Sequence, residues 1–289
     1  MARRNDGVRR TVRAVEVAQE VLPGTSIELL QALHLLTREG DLNADARRKL
    51  KQVNHLIGLL RPSVDAALAA HEDPVLVDCG SGKSYLGLLL DQLVFTPAGR
   101  GRVVALEARP ELAAAAASRA EALGLTRFRS VAGPIEAASV EGPVHLVTAL
   151  HACDTATDDA LILAARAGAE HVAVVPCCQA EVARQLGEAR PEDGVIASLA
   201  AHPMHRREFG SHLTNVLRSL TLEALGYRVT VTELVGWEHS MKNELILARR
   251  TRPGSDVGRE RLREVLTRTG VAPKVVRELG ASLGLTTSG

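Results

Sequence analysis

Aromatic residues are scarce in this sequence: its 289 residues include three phenylalanines, two tyrosines and one tryptophan. A surface that stacks several nucleic-acid bases on aromatic rings is therefore not expected. Cysteine is scarce as well, and four cysteines in a chain of this length do not make a disulfide framework. We therefore expect a reducing, cytoplasmic location.

Long apolar runs are also missing. No run approaches the roughly 20 residues that a membrane span needs. The arginines at the start of the sequence are not followed by the apolar stretch of a secretory signal. We expect no contact with a membrane.

The composition itself is ordinary, with 46% hydrophobic and 24% charged residues, which excludes a chain that is disordered throughout. The formal net charge is only +1, but both ends are more basic than the acidic middle. Basic ends are consistent with nucleic-acid contact, and they fit ordinary solvated helices at least as well.

The hydrophobic pattern divides the chain into three parts. Residues 1–70 have helical spacing and no strand signal, which predicts an N-terminal helical segment. Residues 71–250 alternate short apolar runs with helical patterns, which is typical of an α/β fold with a mostly parallel sheet. Two closely spaced runs at the end of this part predict an antiparallel hairpin. Residues 251–289 contain two short helical patterns and are expected to form a C-terminal helical tail.

The individual elements follow from the same pattern. A helix is predicted from about Ala44 towards Leu60. The predicted strands are 75–77, 103–106, 128–131, 144–150, 172–176, 228–235 and 243–248. The predicted helices among them are 84–93, 110–123, 156–167 and 213–225.

The most informative local pattern is a buried strand that leads into a glycine-rich turn, Val75-Leu-Val-Asp-Cys-Gly-Ser-Gly-Lys-Ser84. Glycines at such a turn let the backbone pass close to a ligand. A phosphate loop would need a glycine five positions before Gly82, where Val77 stands. A dinucleotide-binding loop would need its third glycine where Tyr85 stands. Both nucleotide interpretations therefore lack a required residue.

An acidic residue at a strand end followed by Gly-x-Gly resembles the first motif of the class I methyltransferases, which use S-adenosylmethionine (SAM). The resemblance implies a Rossmann-like sheet and SAM as the cofactor. It also implies that Asp78 faces the ammonium group and sulfonium of SAM, and that Gly80, Ser81 and Gly82 pack against its amino-acid and ribose parts. A plain strand-to-helix turn is the alternative.

Further candidate cofactor residues follow the next strands. Glu107 ends the second predicted strand, and a carboxylate there can accept hydrogen bonds from both ribose hydroxyls. The resemblance places Ile135 over the adenine ring and Glu136 at its amino group, with a plain loop as the alternative. Leu150, at the end of the fourth strand, completes the predicted set.

Polar residues follow the fourth and fifth strands, in Leu150-His-Ala-Cys-Asp154 and Val175-Pro-Cys-Cys-Gln179. These segments resemble a branch of the methyltransferases that includes the tRNA 2'-O-methyltransferases of the acceptor stem. Asp154 stands where that branch has glycine, and Gln179 where it has histidine or tyrosine. The zinc-binding modules of the tRNA enzymes are absent from this sequence, so the departures affect the tRNA assignment most.

Three of these residues are candidate catalytic residues. An ordinary pKa of about 6.5 suits His151 to remove a proton near neutrality, although a hydrogen-bonding structural histidine is an equal alternative. Asp154 would orient its imidazole, and Cys177 would form a small, soft wall beside the methyl group. We expect no metal, because the adjacent Cys177 and Cys178 chelate one ion poorly and no C-x₂-C spacing occurs.

The sequence thus predicts a SAM-dependent methyltransferase whose acceptor is most readily RNA. A protein or a small molecule is the alternative acceptor. A SAM-binding protein without turnover, and a nucleotide-binding or redox protein on the same sheet, also remain open.

Overall fold

The computed structural model describes residues 22–37, 42, 44–150, 152, 154–176, 179–189, 191, 193–234 and 244–285. The chain divides into two compact units, one ending at Gly133 and the other beginning at Pro134. No helix in the described ranges combines the length and the apolar character that crossing a bilayer requires.

Within the described residues, the first unit contains three parallel strands and four helices. Their bounds are α1 Ile27–Ala32, α2 Ala44–Ala70, β1 Val75–Cys79, α3 Tyr85–Leu90, β2 Arg102–Glu107, α4 Pro110–Ala122 and β3 Phe128–Ala132. Helix α3 continues as a π-helical turn, Asp91–Phe95, and a further short helical turn, Thr96–Ala98. Strand β2 lies between β1 and β3, with Asp78 opposite Ala105.

Helix α3 lies close to the sheet of this unit, and Gly87 makes that possible. A Cβ atom at Gly87 would lie 2.9 Å from Cε2 of Phe128 and 3.2 Å from Cγ1 of Val103. All five residues of β1 are buried, and so are five of the six residues of α3, so the elements before and after the glycine-rich turn are firmly packed. Close packing on both sides thus holds the ends of this turn in place.

In the part of the second unit that the structure describes, there are four further strands and six helices. Their bounds are β4 Leu146–Leu150, α5 Thr155–Ala167, β5 His171–Val175, α6 Glu181–Ala189, α7 Gly194–Ala201, α8 Pro203–Ala224, β6 Tyr227–Glu233, β7 Glu244–Arg250, α9 Asp256–Thr269 and α10 Lys274–Leu283. A 3₁₀ turn, Ile135–Ala137, precedes β4. Helix α8 packs against α6, α7, α9 and α10 and is buried along most of its second half.

The strand order of the sheet is β3-β2-β1-β4-β5-β7-β6. Strands β4 and β5 are parallel, whereas β7 is antiparallel to both β5 and β6. A mostly parallel sheet with a terminal antiparallel hairpin and flanking helices confirms the predicted Rossmann-like class I methyltransferase fold.

Four helices differ from the prediction. Helix α2 continues through Pro62 to Ala70, because Val64, Ala67 and Leu68 are buried and their packing outweighs the cost of an interior proline, about 3 kcal/mol. Helices α6 and α7 were not predicted, since Gly187, Pro191 and Gly194 interrupt the helical pattern there. Helix α8 begins ten residues before its predicted start at Leu213, because its first half is mostly polar and exposed and shows no apolar stripe.

Candidate functional site

The glycine-rich turn after β1 has a left-handed backbone at Gly80, Gly82 and Ser84, where φ is +63°, +57° and +58°. The Ser81 amide donates to the carbonyl oxygen of Leu106 at 3.0 Å, and the Ser84 amide donates to the carbonyl of Ser81 at 2.8 Å. The two serine hydroxyls are 3.0 Å apart. The turn is therefore tied both to itself and to the end of β2.

Gly82 and Glu107, both singled out from the sequence, are brought together by this turn. The Gly82 amide donates to Oε2 of Glu107 at 2.7 Å. A Cβ atom at Gly82 would have no other atom within 4 Å, so the backbone is open to a ligand at this point. A side chain at this position would occupy that space.

The carboxylate of Glu107 is held in place at the end of β2. Its Oε1 accepts hydrogen bonds from the Arg109 amide at 3.1 Å and from Nε of Arg109 at 2.7 Å. Burial by itself would raise the pKa of Glu107, but the hydrogen bonds from Arg109 and Gly82 outweigh it and hold that pKa below its ordinary value. Glu107 is therefore ionised at neutral pH, with its two oxygens fixed in orientation.

Asp78 lies at the same edge of the sheet as Glu107. The carboxyl ends of β1 and β2 are adjacent, since Cys79 pairs with Leu106. Asp78 itself is 2% exposed. Two acidic side chains at neighbouring strand ends, beside an open glycine backbone, fit the cationic amino-acid end and the ribose of SAM. Their contact with the cofactor stays a prediction.

The other three predicted cofactor residues belong to the second unit. Ile135 is half-buried and Glu136 exposed in the 3₁₀ turn, and Leu150 is the half-buried last residue of β4. Glu136 accepts a hydrogen bond from Nζ of Lys274 at 3.1 Å, and the same ammonium group lies 2.6 Å from Asp159. This contact with the first residue of α10 was not expected, and the predicted role of Glu136 towards adenine stays a prediction.

Of the three candidate catalytic residues, Asp154 alone lies within the described residues; His151 and Cys177 are outside them. The backbone of Asp154 has φ +50° and ψ −120°, which a residue with a side chain rarely adopts. Its Oδ1 accepts a hydrogen bond from the Ala180 amide at 3.0 Å, across from the segment after β5. Its role towards His151 stays a prediction.

A buried ion pair between Arg218 and Asp158 also contacts the backbone of Asp154. Arg218, on α8, is 0% exposed, and its Nε and Nη2 donate to the two carboxylate oxygens of Asp158 at 2.9 and 3.2 Å. The same Nη2 donates to the carbonyl oxygen of Asp154 at 2.8 Å. Fixed, bidentate geometry of this kind is characteristic of arginine and is not available to lysine.

Asn215, one turn before Arg218, extends this set of contacts. Its Oδ1 accepts from Nη1 of Arg218 at 3.2 Å and from Nε2 of Gln179 at 3.1 Å. Its Nδ2 donates to Oε2 of Glu244 at 2.9 Å, and Ser211 donates to Oε1 of Gln179 at 2.8 Å. Sequence reasoning missed Ser211, Asn215 and Arg218, although polar residues spaced by four and three, and so on one face of a helix, are a signal that could have found them.

A groove lined by three arginines, of about 440 Å³, lies between α6 and the start of α8. We call it the arginine groove; its arginines are Arg184, Arg206 and Arg207. Nη1 of Arg206 donates to the carbonyl oxygen of Ala200 at 3.2 Å, while Arg184 and Arg207 are exposed. Gln179 lines the groove as well, so the groove begins at the segment that follows β5.

The two C-terminal helices, α9 and α10, also carry several arginines and a lysine. Most of their cations form ion pairs within or next to their own helix: Arg259 with Asp256, Arg261 with Glu223, Arg263 with Glu260, Arg268 with Asp193, Lys274 with Asp159 and Arg277 with Glu181. The positive charge of this segment is thus largely balanced by neighbouring carboxylates, as the solvated-helix interpretation expects.

Among the described residues, no three His, Cys, Asp or Glu side chains are grouped as a metal site would require. The histidine and cysteines considered for zinc, His151, Cys153, Cys177 and Cys178, lie outside those residues.

Residues 48–185 match a family model described as "Methyltransferase domain". The matched part includes the glycine-rich turn, Glu107 and the segments after β4 and β5. Over these residues the match agrees with the predicted class of enzyme, a methyltransferase. The match ends before α8 and covers slightly less than half of the 289 residues. No curated protein matches the sequence.

Several solved structures are similar to this chain at low identity. Cofactor-bound Rv0187 from MTB is 21% identical over 82% of this chain and 95% of that one, with a TM-score of 0.47. An O-methyltransferase from Bacillus cereus in complex with SAH is 18% identical over 83% and 99%, also with a TM-score of 0.47. An rRNA methylase from Streptococcus thermophilus is 12% identical over 68% and 96%, with a TM-score of 0.44. These scores are too low to transfer a substrate to this chain.

Proposed function

We propose that this protein transfers a methyl group from SAM to RNA, with Asp78, the glycine-rich turn and Glu107 as its cofactor contacts. The observation that carries the proposal is the contact between the Gly82 amide and the Glu107 carboxylate, 2.7 Å apart beside an open stretch of backbone. A carboxylate has about four lone-pair sites, and the bonds from Gly82 and Arg109 occupy three of them. Oε2 can therefore accept from one ribose hydroxyl, and Oε1 can accept from the adjacent one when the exposed guanidinium of Arg109 moves away.

The chain's own residues mainly have to orient the reactants. When bound, SAM supplies a methyl group on a sulfonium sulfur, which is already a good leaving group. Glu107 fixes the ribose, and the negative charge of Asp78 favours the cationic end of the cofactor. Ile135, Glu136 and Leu150 are the proposed contacts to the adenine and its surroundings. Alignment of the acceptor with the methyl group then provides most of the rate.

RNA is the proposed acceptor because of the arginine groove. The groove is open, begins at the segment after β5 and contains three guanidinium groups against one carboxylate, that of Glu208. The ion pair of Arg207 with Glu208 is exposed at both ends, so a phosphate can replace the carboxylate at little cost. A chain of phosphodiesters fits such a surface better than a small metabolite does.

Replacing Arg184 and Arg207 together by alanine is expected to weaken RNA binding about tenfold near physiological salt, because two phosphate contacts are lost. Fluorescence anisotropy with a labelled single-stranded RNA of about 20 nucleotides measures this. The slope of log affinity against log salt should fall by about 1.4, since each phosphate contact contributes about 0.7 for single strands.

Arg228 provides the matched control for this pair. It is exposed near the start of β6, at the opposite edge of the sheet. Arg228→Ala should leave RNA affinity and the salt slope nearly unchanged. Equal losses in the control and in the double variant would show unspecific attraction and remove the groove from the proposal. Tighter binding of a poly-glutamate peptide than of the RNA would favour a protein acceptor.

His151→Ala is expected to leave binding of S-adenosylhomocysteine intact while slowing methyl transfer about 100-fold, the lower end of the range for a general base acting on a hydroxyl. Calorimetry measures the first quantity, and incorporation of a labelled methyl group under single-turnover conditions measures the second. A loss of cofactor binding in proportion to the loss of rate would mean that His151 is structural.

The function itself is tested with tritiated SAM and separate RNA, protein and metabolite fractions of the host. Label in the RNA fraction supports the proposal, and label in another fraction alone assigns a different acceptor. Binding of S-adenosylhomocysteine without any label would indicate a SAM-binding protein without turnover. No binding of either compound would remove the cofactor site.

A further inference from the structure

We propose that α8 positions the segments of the second unit that receive the acceptor, through Arg218 acting on the turn at Asp154 and Asn215 acting on Gln179. This inference rests on the proposed function, and it assigns positioning roles to residues beyond the matched methyltransferase domain. Neither residue is a catalytic residue, because both act through other groups of the chain.

The first step of the argument concerns the segments that α8 reaches. Arg218 contacts Asp154, after β4, while Asn215 contacts Gln179, after β5, and Glu244, the first residue of β7. Since β4 and β5 are parallel and β7 is antiparallel to β5, these three segments share one edge of the sheet. Ligands of such sheets bind at the carboxyl ends of their strands.

The second step concerns the strained turn. Asp154 has an unfavourable left-handed φ of +50° and is held there from two sides. Arg218 donates to its carbonyl oxygen at 2.8 Å, and its side chain accepts from the Ala180 amide at 3.0 Å. A strained residue persists where its surroundings determine its conformation, and such places concentrate at functional sites. Arg218 is the side chain that provides this constraint from the core.

The third step concerns the free-energy cost of burying the side chain of Arg218. A fully buried guanidinium is expensive to desolvate, and an apolar pair of similar volume would often stabilise a core equally well. Four hydrogen bonds from Arg218 reach Asp158, Asp154 and Asn215. The side chain thus fixes three separate groups in one geometry, which an apolar side chain cannot do.

The experiment uses the full chain with three substitutions on α8. Arg218→Lys keeps the charge but cannot form all four hydrogen bonds, and Asn215→Ala removes the contacts to Gln179 and Glu244. Thr221→Val is the matched control, because this buried hydroxyl donates only to Leu217 of its own helix among the bonds described. Amide hydrogen exchange and methyl transfer from tritiated SAM to total host RNA are measured for each.

Arg218→Lys should speed exchange about tenfold in peptides covering 154–158 and 179–184, because the constraint on those segments is weakened locally. It should lower kcat about tenfold while leaving the Kd of S-adenosylhomocysteine unchanged, since misplaced groups lose rate without losing cofactor affinity. Asn215→Ala should also speed exchange in the peptide covering 179–184 and lower kcat. Thr221→Val should change neither the exchange rate nor kcat.

Two outcomes would overturn the inference. Unchanged exchange and unchanged kcat in Asn215→Ala would mean that the contacts of Asn215 with Gln179 and Glu244 do not position the site. If Arg218→Lys does not fold, the result for Asn215→Ala decides whether the inference holds. Equal effects in Thr221→Val would mean that any buried substitution on α8 acts alike. A wild-type protein that binds no S-adenosylhomocysteine or labels no RNA would instead refute the proposed function, while the exchange data still judge the positioning role.

Discussion

Glu107→Ala is expected to weaken binding of S-adenosylhomocysteine about 1000-fold, or about 4 kcal/mol, because two hydrogen bonds to a charged acceptor are lost at about 2 kcal/mol each. The carboxylate lies at the end of β2 with 5% of its side chain exposed, and Arg109 and Gly82 fix both of its oxygens. The acceptor atoms are thus oriented before the ribose arrives. Isothermal titration calorimetry measures the change.

Arg109→Ala is the control for this prediction. The guanidinium of Arg109 is 62% exposed, so its ion pair with Glu107 contributes little in water. Affinity for S-adenosylhomocysteine should fall only about threefold in this variant. If Glu107→Ala lowered the melting temperature but left affinity unchanged, Glu107 would be a support for the glycine-rich turn and not a ribose ligand.

The pKa of Glu107 adds a dependence on pH. It is lower in the folded protein than the ordinary 4.5, because the hydrogen bonds from Arg109 and Gly82 outweigh the effect of burial. A carboxyl with a lowered pKa stabilises the folded state above its ordinary pKa, and this contribution is lost as the pH falls through the lowered value. The carboxylate therefore stays charged well into the acidic range, and we expect affinity to be constant from about pH 6 to pH 8.

The fold was largely predictable because, in the middle of the chain, the short apolar runs typical of buried strands are clearly distinct from the apolar spacing typical of helices. The run Val75-Leu-Val is followed by glycines and then by an apolar helix, and the structure has a strand, a turn and a helix there. Helices α6 and α7 escaped prediction because glycine and proline interrupt them. Their helical state depends on tertiary packing against α8, which a local pattern does not contain.

The candidate cofactor residues of the first unit and the α8 contacts of the second differ in how well the sequence could predict them. Gly82 and Glu107 are each marked by position, because a ligand-binding turn and a strand end have recognisable local sequences. Arg218 and Asp158 are 60 residues apart in sequence and have no local signature. Their pairing follows from the packing of α8 on the segments after β4 and β5, so only a three-dimensional structure could bring them together.

Gly226→Ala is expected to destabilise the protein by about 3 kcal/mol, lowering the melting temperature by about 8 °C. Gly226 joins α8 to β6 with φ +94°, and an added Cβ would overlap the carbonyl oxygen of Arg252 and lie 2.9 Å from the amide nitrogen of Gly254. The carbonyl oxygen of Gly226 also accepts hydrogen bonds from the amide and hydroxyl of Thr251, at 3.0 and 3.1 Å. Backbone on both sides is thus held and cannot move away. Thermal unfolding followed by circular dichroism measures the shift.

Gly168→Ala separates the overlap from the cost of a left-handed backbone. Gly168 ends α5 with φ +68°, and the nearest atom to an added Cβ there is the flexible end of Arg250, at 3.1 Å. This control should cost about 1 kcal/mol, the penalty of a left-handed conformation for a residue with a Cβ. A difference of about 2 kcal/mol between the variants would then be the steric cost at Gly226. Equal destabilisation would instead show that the connection between α8 and β6 yields, and that the hairpin does not depend on its close approach to Arg252.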